Sequence, residues 1–314
     1  MGERQVIALA GGTGDLGRYI HEELTKGGWY SVVLLTRKEG PPSTYPNTTT
    51  HQTDYTEASL LNILNATRAT ALISTIRCDN SAYLPVHRSL LAACLRSETC
   101  KRFIPSEWAG NIEGFPDMPR SYGATRAPFR KELEQAPAEL KWTLFNLGWF
   151  MDYFVAPEKS YMKNIPGEFP IDLEKWEYIV RGSGDEPQSW TCGRDVARAV
   201  VELLKAEDWE PVTYVAGGWG TFNEAAALLE RFYRRKFTRT YRSLADIHAA
   251  IQEYESNPAN DEEAGLLEVE QWQVEGATAV PERKTLWQRQ EYFSNVRFLS
   301  LEGLLEAAEG EGCI

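Results

Sequence analysis

Short apolar runs alternate with helix-type patterns over the first 150 residues of the chain. The first run, Gln5–Ala10, is apolar and β-branched, which is typical of a buried strand. A glycine-rich turn follows it, and apolar residues then recur at helical spacing as far as the stop at Gly27 and Gly28. Four further predicted strands are Tyr30–Leu35, Ala71–Ile76, Lys101–Pro105 and Trp142–Asn146, with Thr48–Thr53 as an edge strand. The predicted intervening helices are Ser59–Leu64, Pro85–Leu95 and Arg126–Glu134.

This alternation predicts an α/β fold of the Rossmann type, with helices on both faces of a doubly wound parallel sheet. After Asn146 the pattern becomes irregular and rich in aromatic residues and proline, which indicates a smaller C-terminal lobe for the substrate. One more helix and strand, Arg194–Leu204 and Val212–Val215, interrupt that lobe. The predicted division is a nucleotide-binding domain of residues 1–150, to which 191–216 return, and a lobe of residues 151–190 and 217–314.

Composition narrows the range of functions. With 314 residues and 43% apolar side chains the chain can bury a large core, and its net charge of −12 disfavours nucleic acid and anionic membranes as partners. The five cysteines are scattered, and neither they nor the four histidines have the spacing of a metal site. The apolar start at Val6–Ala10 is too short for a signal peptide or a membrane span. We therefore expect a cytoplasmic protein with reduced thiols and no metal.

The strongest chemical signal is the turn after the first strand. Gly12, Gly14 and Gly17 have the spacing G-x-G-x-x-G between a predicted strand and the helix that follows it. In that setting the glycines allow a tight turn, close approach of a pyrophosphate and close packing of helix on strand, with the helix amides facing the anion. The residues predicted to hold the dinucleotide here are Gly12, Thr13, Gly14, Asp15, Leu16, Gly17 and Thr75.

Two cations follow the second strand and indicate which dinucleotide is bound. An NAD-specific fold usually places an acidic residue there for the ribose 2′-hydroxyl, whereas this chain has Arg37 and Lys38. A guanidinium can bind a 2′-phosphate through two hydrogen bonds and an ammonium adds charge, so the pair favours NADP(H). Asp54 could accept a hydrogen bond from the adenine amino group, although a helix cap explains it nearly as well.

Several segments together resemble a known family. They are the glycine turn GGTGDLG, Arg37, Lys101–Trp108, Asn146–Phe154, Asp195–Ala197 and Thr221–Glu224. The chain to about residue 255 resembles the NmrA-like and isoflavone-reductase-like atypical short-chain dehydrogenases. The resemblance implies a Rossmann domain that holds NADP(H), a C-terminal substrate lobe, and a nicotinamide at the cleft between them.

The resemblance fails at the position of the family's lysine, where this chain has Arg126. A guanidinium cannot serve as a proton shuttle, but it can hold the nicotinamide ribose or a developing oxyanion. Tyr122, four residues earlier, is the candidate proton donor if the segment is helical, because Arg126 would then lower its pKa. Thr125 is a candidate N-cap, which would leave Tyr122 in a loop as an aromatic wall residue. Ser106, just past the fifth strand, is a third candidate catalytic residue or a capping residue.

Large aromatic residues indicate the chemistry of the substrate. Pockets for aromatic or polycyclic ligands are lined by such side chains, although most aromatic side chains simply belong to the core. The residues predicted to contact a small hydrophobic substrate are Trp108, Trp149, Phe150, Tyr153 and Phe154.

Three functions remain open. The first is an NADPH-dependent reductase of an aromatic or heterocyclic natural-product intermediate, with a C=N, C=O or conjugated C=C bond as the hydride acceptor. The second is an NmrA-like redox-sensing regulator that binds the dinucleotide without turnover, which the replaced lysine favours. The third is an enzyme that templates a cyclisation and would tolerate loss of Arg126. The sequence is compatible with a monomer or a homodimer.

Overall fold

The computed structural model describes residues 4–38, 43–78, 80–163, 166–256, 261–310 and 312–314. The strands in chain order are β1 (Gln5–Ala10), β2 (Tyr30–Thr36), β3 (Thr48–Gln52), β4 (Ala71–Ser74), β5 (Arg102–Ile104), β6 (Lys141–Trp142), β7 (Leu144–Asn146), β8 (Trp149–Phe150), β9 (Ile171–Asp172), β10 (Glu177–Arg181), β11 (Gln188–Thr191), β12 (Val212–Tyr214), β13 (Gly218–Gly220) and β14 (Thr238–Arg242). The helices are α1 (Asp15–Thr25), α2 (Glu57–Thr67), α3 (Asn80–Arg96), α4 (Ser121–Ala124), α5 (Arg126–Glu134), α6 (Gly193–Leu203), α7 (Phe222–Phe232), α8 (Leu244–Ser256), α9 (Asp261–Val274), α10 (Glu282–Tyr292) and α11 (Leu301–Ala308).

The central sheet has six strands in the order β3-β2-β1-β4-β5-β6, and every neighbouring pair is parallel. The strand order reverses beside β1, so the carboxyl ends of β1 and β4 border the crevice where such sheets bind ligands. The expected doubly wound α/β class is therefore confirmed.

The strand predicted at Trp142–Asn146 is two short strands. β6 ends at Trp142 and pairs with β5, whereas β7 begins at Leu144 and pairs in parallel with β12. Between them the hydroxyl of the buried Thr143 lies 2.8 Å from that of Thr213. The chain thus changes partners within one extended run, which periodicity alone does not reveal.

Helices cover both faces of the sheet. Apolar residues of α1 and α6 pack on one face, and those of α2, α3 and α5 pack on the other. α6 also packs directly against α1, and β12 pairs with β7, so residues 193–214 lie against the sheet although they follow the start of the lobe. The exact division into domains stays a prediction.

Besides the cores on the two faces of the sheet, a third core, rich in aromatic residues, lies in the C-terminal part of the molecule. It joins the 3-10 turn Met151–Phe154 to α7, α11 and the small sheets β14-β10-β9 and β13-β11-β8. The tail that begins at Ser300 is acidic, but its apolar side is buried. α11 buries Leu301, Leu304 and Leu305 in this core because its leucines recur at helical spacing. Among the described residues no helix combines the length and hydrophobicity needed to cross a bilayer.

Candidate functional site

The glycine turn links β1 to α1 in a form that can receive an anion. Gly11 has a φ of +81°, and the amide of Gly14 donates to the carbonyl of Gly11 at 2.9 Å. A Cβ at Gly17 would overlap the Gly11 carbonyl oxygen, so only glycine lets the helix lie this close to the turn. Thr13 and Gly14 are exposed directly before α1. Their position leaves the first amides of the helix open to a pyrophosphate.

Other predicted cofactor residues hold this turn in place through packing and hydrogen bonds. A Cβ at Gly12 would lie 2.6 Å from the Leu34 side chain, so β2 also limits this position to glycine. Thr75 donates from both its amide, at 2.9 Å, and its hydroxyl, at 3.2 Å, to the carbonyl of Ala10. Leu16 is buried in the core between α1 and the sheet. In the structure, Thr75 and Leu16 thus fix the turn by packing and hydrogen bonding.

Arg37 and Lys38 lie exposed at the carboxyl end of β2. Neither side chain forms an ion pair within the described parts of the chain. Asp54, two residues after β3, accepts from the Thr56 amide at 2.9 Å and from its hydroxyl at 2.8 Å, while Thr56 is itself the N-cap of α2. One oxygen of Asp54 is therefore committed to the turn before α2, and the two cations remain available to a ligand.

Ser106 lies just past β5 and is tied to the neighbouring strand connections. Its hydroxyl donates to the carbonyl of Ile76 at 3.0 Å, and its amide donates to Nε2 of His87 at 3.3 Å. Nδ1 of His87 lies 2.9 Å from the carbonyl of Tyr83 and therefore carries the proton. Burial lowers the pKa of His87 to about 4, so its ring is neutral. Ser106 and His87 thus form hydrogen bonds that join the loops after β4 and β5 to helix α3.

Arg126 lies between two tyrosine rings at the predicted catalytic position. Its guanidinium carbon is 4.1 Å from the ring centres of both Tyr83 and Tyr122, and its buried Nε has no hydrogen-bond partner among the described residues. Burial disfavours the charge, but the two phenols and Glu107 outweigh it and raise the pKa of Arg126. The side chain is thus a cation in a fixed position, and its Nε–H has no acceptor among the described residues.

Tyr122 lies in the short helix α4 and not in a loop. Thr125 occupies the predicted N-cap position before α5, but its hydroxyl donates to the carbonyl of Ser121 and does not cap the helix. The Tyr122 hydroxyl makes no hydrogen bond to a residue that the structure describes, and its ring is only half-buried. Burial raises the pKa of Tyr122 and outweighs the lowering by Arg126, so the expected net decrease does not occur. The phenol therefore holds its proton near neutral pH.

Sequence reasoning allowed a salt bridge at Glu107 but did not identify its partner, Arg130. Glu107 is fully buried and receives two hydrogen bonds from Arg130, from Nη2 at 2.6 Å and from Nε at 3.3 Å. The pair joins the loop after β5 to α5, which holds Arg126 relative to the sheet edge. The sequence carried one weak signal, namely an acidic residue directly after the fifth strand and a basic residue on the next helix.

The five predicted substrate residues lie in two environments. Trp108, Phe150 and Tyr153 are partly exposed, and Nε1 of Trp108 donates to the carbonyl of Ser74 at 3.0 Å. Trp149 and Phe154 are buried in the aromatic core, where both rings contact Phe169. The first three remain candidates for contact with a substrate, whereas the last two are positioned as core residues behind them. No cluster of three potential metal ligands occurs in the described residues.

Comparisons with known proteins agree with this architecture. The chain is 37% identical to oxidoreductase swnR of Arthroderma benhamiae over 307 residues, which cover 96% of the chain and 97% of that protein. AtPrR2, solved with NADP+ and (+)pinoresinol, matches with a TM-score of 0.74 at 18% identity and covers 98% of this chain and 100% of its own. A solved isoflavone reductase matches with a TM-score of 0.70 at 18% identity and covers 97% and 99%. No protein-family model matches the chain. The expected resemblance to isoflavone reductases is confirmed.

Proposed function

Because this chain belongs to the family of the swnR oxidoreductases, we propose that it is an NADPH-dependent reductase of a hydrophobic aromatic or heterocyclic intermediate. The hydride acceptor in this proposal is a C=N, C=O or conjugated C=C bond. The observation that carries the proposal is the exposure of Arg37 and Lys38, without an ion pair among the described residues, beside an open glycine turn. AtPrR2, which has the same fold, was solved with NADP+.

The residues at the turn fit a phosphorylated dinucleotide. The space that a Cβ would fill at Gly17 is taken by backbone, and Thr13 and Gly14 are exposed directly before the N-terminus of α1. Arg37 and Lys38 would hold the 2′-phosphate, because neither cation is ion-paired with a carboxylate of the described residues. When bound, the cofactor supplies the hydride.

The tyrosine and arginine supply the proton and the positive charge. The Tyr122 hydroxyl is protonated and without a partner in the described structure, so it can donate its proton to the reduced substrate. The Arg126 guanidinium stays charged and can stabilise negative charge that develops on the acceptor. The rings of Trp108, Phe150 and Tyr153 would offer the flat apolar surfaces that orient the substrate.

The test is the coenzyme preference of the purified protein. We expect NADPH to bind more tightly than NADH, as measured by nucleotide fluorescence. The double variant Arg37→Glu, Lys38→Glu should lose that preference, because a carboxylate repels the 2′-phosphate. The matched control is Arg283→Glu, Arg297→Glu, which reverses two exposed arginines elsewhere and should bind as the wild type does. Equal affinity of the wild type for both coenzymes would contradict the proposal.

A redox-sensing regulator is the second candidate, and one observation favours it. Arg126 occupies the position of the family's lysine and cannot accept a proton, so a step that needs a general base there is lost. A sensor should bind NADP+ at least as tightly as NADPH and consume no NADPH with aromatic ketones, cyclic imines or enones. Sustained NADPH oxidation with any of these classes would favour the reductase.

A further inference from the structure

We infer that Lys163 is a further contact for the pyrophosphate of the dinucleotide, supplied by a lobe segment that lies along α1. We call this segment, residues 160–163, the α1 strap. The inference rests on the proposed function, because it assigns a second part of the chain to the same cofactor. It adds a contact from outside the glycine turn and the two cations after β2.

The α1 strap is attached to the outer face of α1 through Tyr161. The Tyr161 amide donates to the Tyr19 hydroxyl at 3.0 Å, and its own hydroxyl donates to Glu22 at 2.6 Å. Its ring stacks against Arg18, whose guanidinium carbon is 3.8 Å from the ring centre. These contacts span about one turn of the helix, from Arg18 to Glu22, and they fix the path of the strap relative to α1.

The beginning of the strap is anchored from within the molecule. The Ser160 hydroxyl donates to the buried carboxylate of Asp152 at 2.8 Å. Asp152 also receives the amide of Gly193, at the start of α6, at 2.6 Å and the hydroxyl of Tyr19 at 3.0 Å. The strap is therefore joined to both helices that cover this face of the sheet.

The strap runs toward the glycine turn. Glu22, Arg18 and Asp15 follow one another at four- and three-residue spacing, which places them on one side of α1. Tyr161 contacts the first two, and the Lys163 amide then donates to Oδ2 of Asp15 at 3.2 Å. Asp15 is the first residue of α1, so Lys163 is fixed beside the helix end that faces the proposed pyrophosphate.

The Lys163 side chain is free to act there. It is exposed and forms no ion pair within the part of the chain that the structure describes. The hydrogen bond to its amide also draws the Asp15 carboxylate toward the strap, which reduces the repulsion that this carboxylate would exert on an anion. The backbone of Lys163 is held by its own amide, whereas its long side chain is flexible. An ammonium placed in this way is well suited to bind a phosphate oxygen.

The position of Lys163 predicts an effect distinct from that of Arg37 and Lys38. Both NADPH and NADH contain the pyrophosphate, whereas only NADPH contains the 2′-phosphate. Loss of the Lys163 charge should therefore weaken both coenzymes to the same degree and leave the preference between them unchanged. Loss of the cations after β2 should change the preference itself.

The experiment measures the Kd of NADPH and of NADH for Lys163→Gln, with Lys159→Gln as the matched control. Lys159 lies in the same connection but donates its ammonium to the carbonyl of Gly310 at 2.6 Å. We expect both Kd values to rise about fivefold in Lys163→Gln and to depend less on salt, because one charge contact is lost. The control should match the wild type, and the exposed site should leave the unfolding midpoint unchanged.

Different failures of this experiment have different meanings. If the wild type binds both coenzymes and Lys163→Gln binds them equally well, the strap inference is wrong and the reductase proposal stands. If only NADPH weakens, Lys163 contacts the 2′-phosphate and the pyrophosphate assignment is wrong. If the wild type binds neither coenzyme, both proposals are wrong. Slower hydrogen exchange at the Tyr161 and Lys163 amides when NADP+ is added provides an independent supporting readout.

Discussion

At the residue scale, the proposed function assigns proton donation to Tyr122 and positive charge to Arg126. Two tyrosine rings hold the guanidinium, which remains charged because the phenols and Glu107 outweigh its burial and raise its pKa. Tyr122 keeps its proton because burial raises its pKa. A group that donates a proton and a neighbour that supplies only charge fit reduction better than a step that begins with proton abstraction.

Tyr122→Phe tests this assignment of the proton. We expect kcat to fall by about 10²-fold or more, with the Kd of NADPH unchanged, because the ring and its contact with Arg126 are retained. Tyr83→Phe is the matched control, since Tyr83 stacks on the same guanidinium but donates to the carbonyl of Ser106. An unchanged kcat in Tyr122→Phe would make Tyr122 a wall residue.

At the scale of elements, the connection from β1 to α1 forms the proposed phosphate site. Its glycines are required for different reasons: Gly11 by a positive φ, Gly12 by the side chains beneath it and Gly17 by the backbone of the turn. At Gly14 the φ is −81° and a Cβ would lie 3.3 Å from the Gly11 carbonyl oxygen. The four positions therefore differ in how much a methyl group would disturb them.

Gly17→Ala should move α1 away from the turn. We expect a loss of about 1–3 kcal/mol in the free energy of unfolding, from overpacking, and a loss of NADPH binding because the amides no longer converge. Urea denaturation and fluorescence titration measure the two effects. Gly14→Ala is the milder companion variant and should retain most of the stability. If Gly17→Ala binds NADPH normally, the close packing of helix on turn is not needed for the site.

At the scale of the whole molecule, a buried histidine links helix α3, on one face of the sheet, to the loop after β5. His87 lies on α3 in a fully buried position and connects the carbonyl of Tyr83 to the amide of Ser106. Its pKa is lowered to about 4 by burial, whereas an unfolded chain protonates the ring near pH 6.5. Between these values the unfolded state binds more protons, so stability should fall as the pH falls.

The free energy of unfolding, measured by urea denaturation at pH 7 and at pH 4, tests this coupling. His87 should account for up to about 3 kcal/mol of the decrease on acidification. Burial raises the pKa values of Asp152 and Asp195, which makes the folded state more stable as the pH falls. This opposite effect is the same in the wild type and in the variant His87→Gln. The comparison with His87→Gln therefore isolates the histidine, and the variant should show the smaller decrease. An equal decrease in both proteins would mean that His87 is not buried in its neutral form.

The sequence by itself determined the features that depend on residues close together along the chain. Strand and helix periodicity predicted the parallel sheet, and the glycine spacing predicted the turn after β1, because each is encoded within a few residues. The positions of Arg37 and Lys38 after β2 followed from the same local pattern. The cofactor and catalytic roles of these residues remain predictions.

Only the tertiary structure decided which side chains meet. Glu107 pairs with Arg130, and the α1 strap lies along α1. The residues in each contact are far apart in sequence, so no local pattern predicts that they meet. Trp149 and Phe154 belong to the core, while the aromatic residues Phe150 and Tyr153 beside them are partly exposed. The physical reason is that periodicity fixes the backbone of each element, whereas the burial, charge and hydrogen bonds of a side chain are set by distant elements that pack against it.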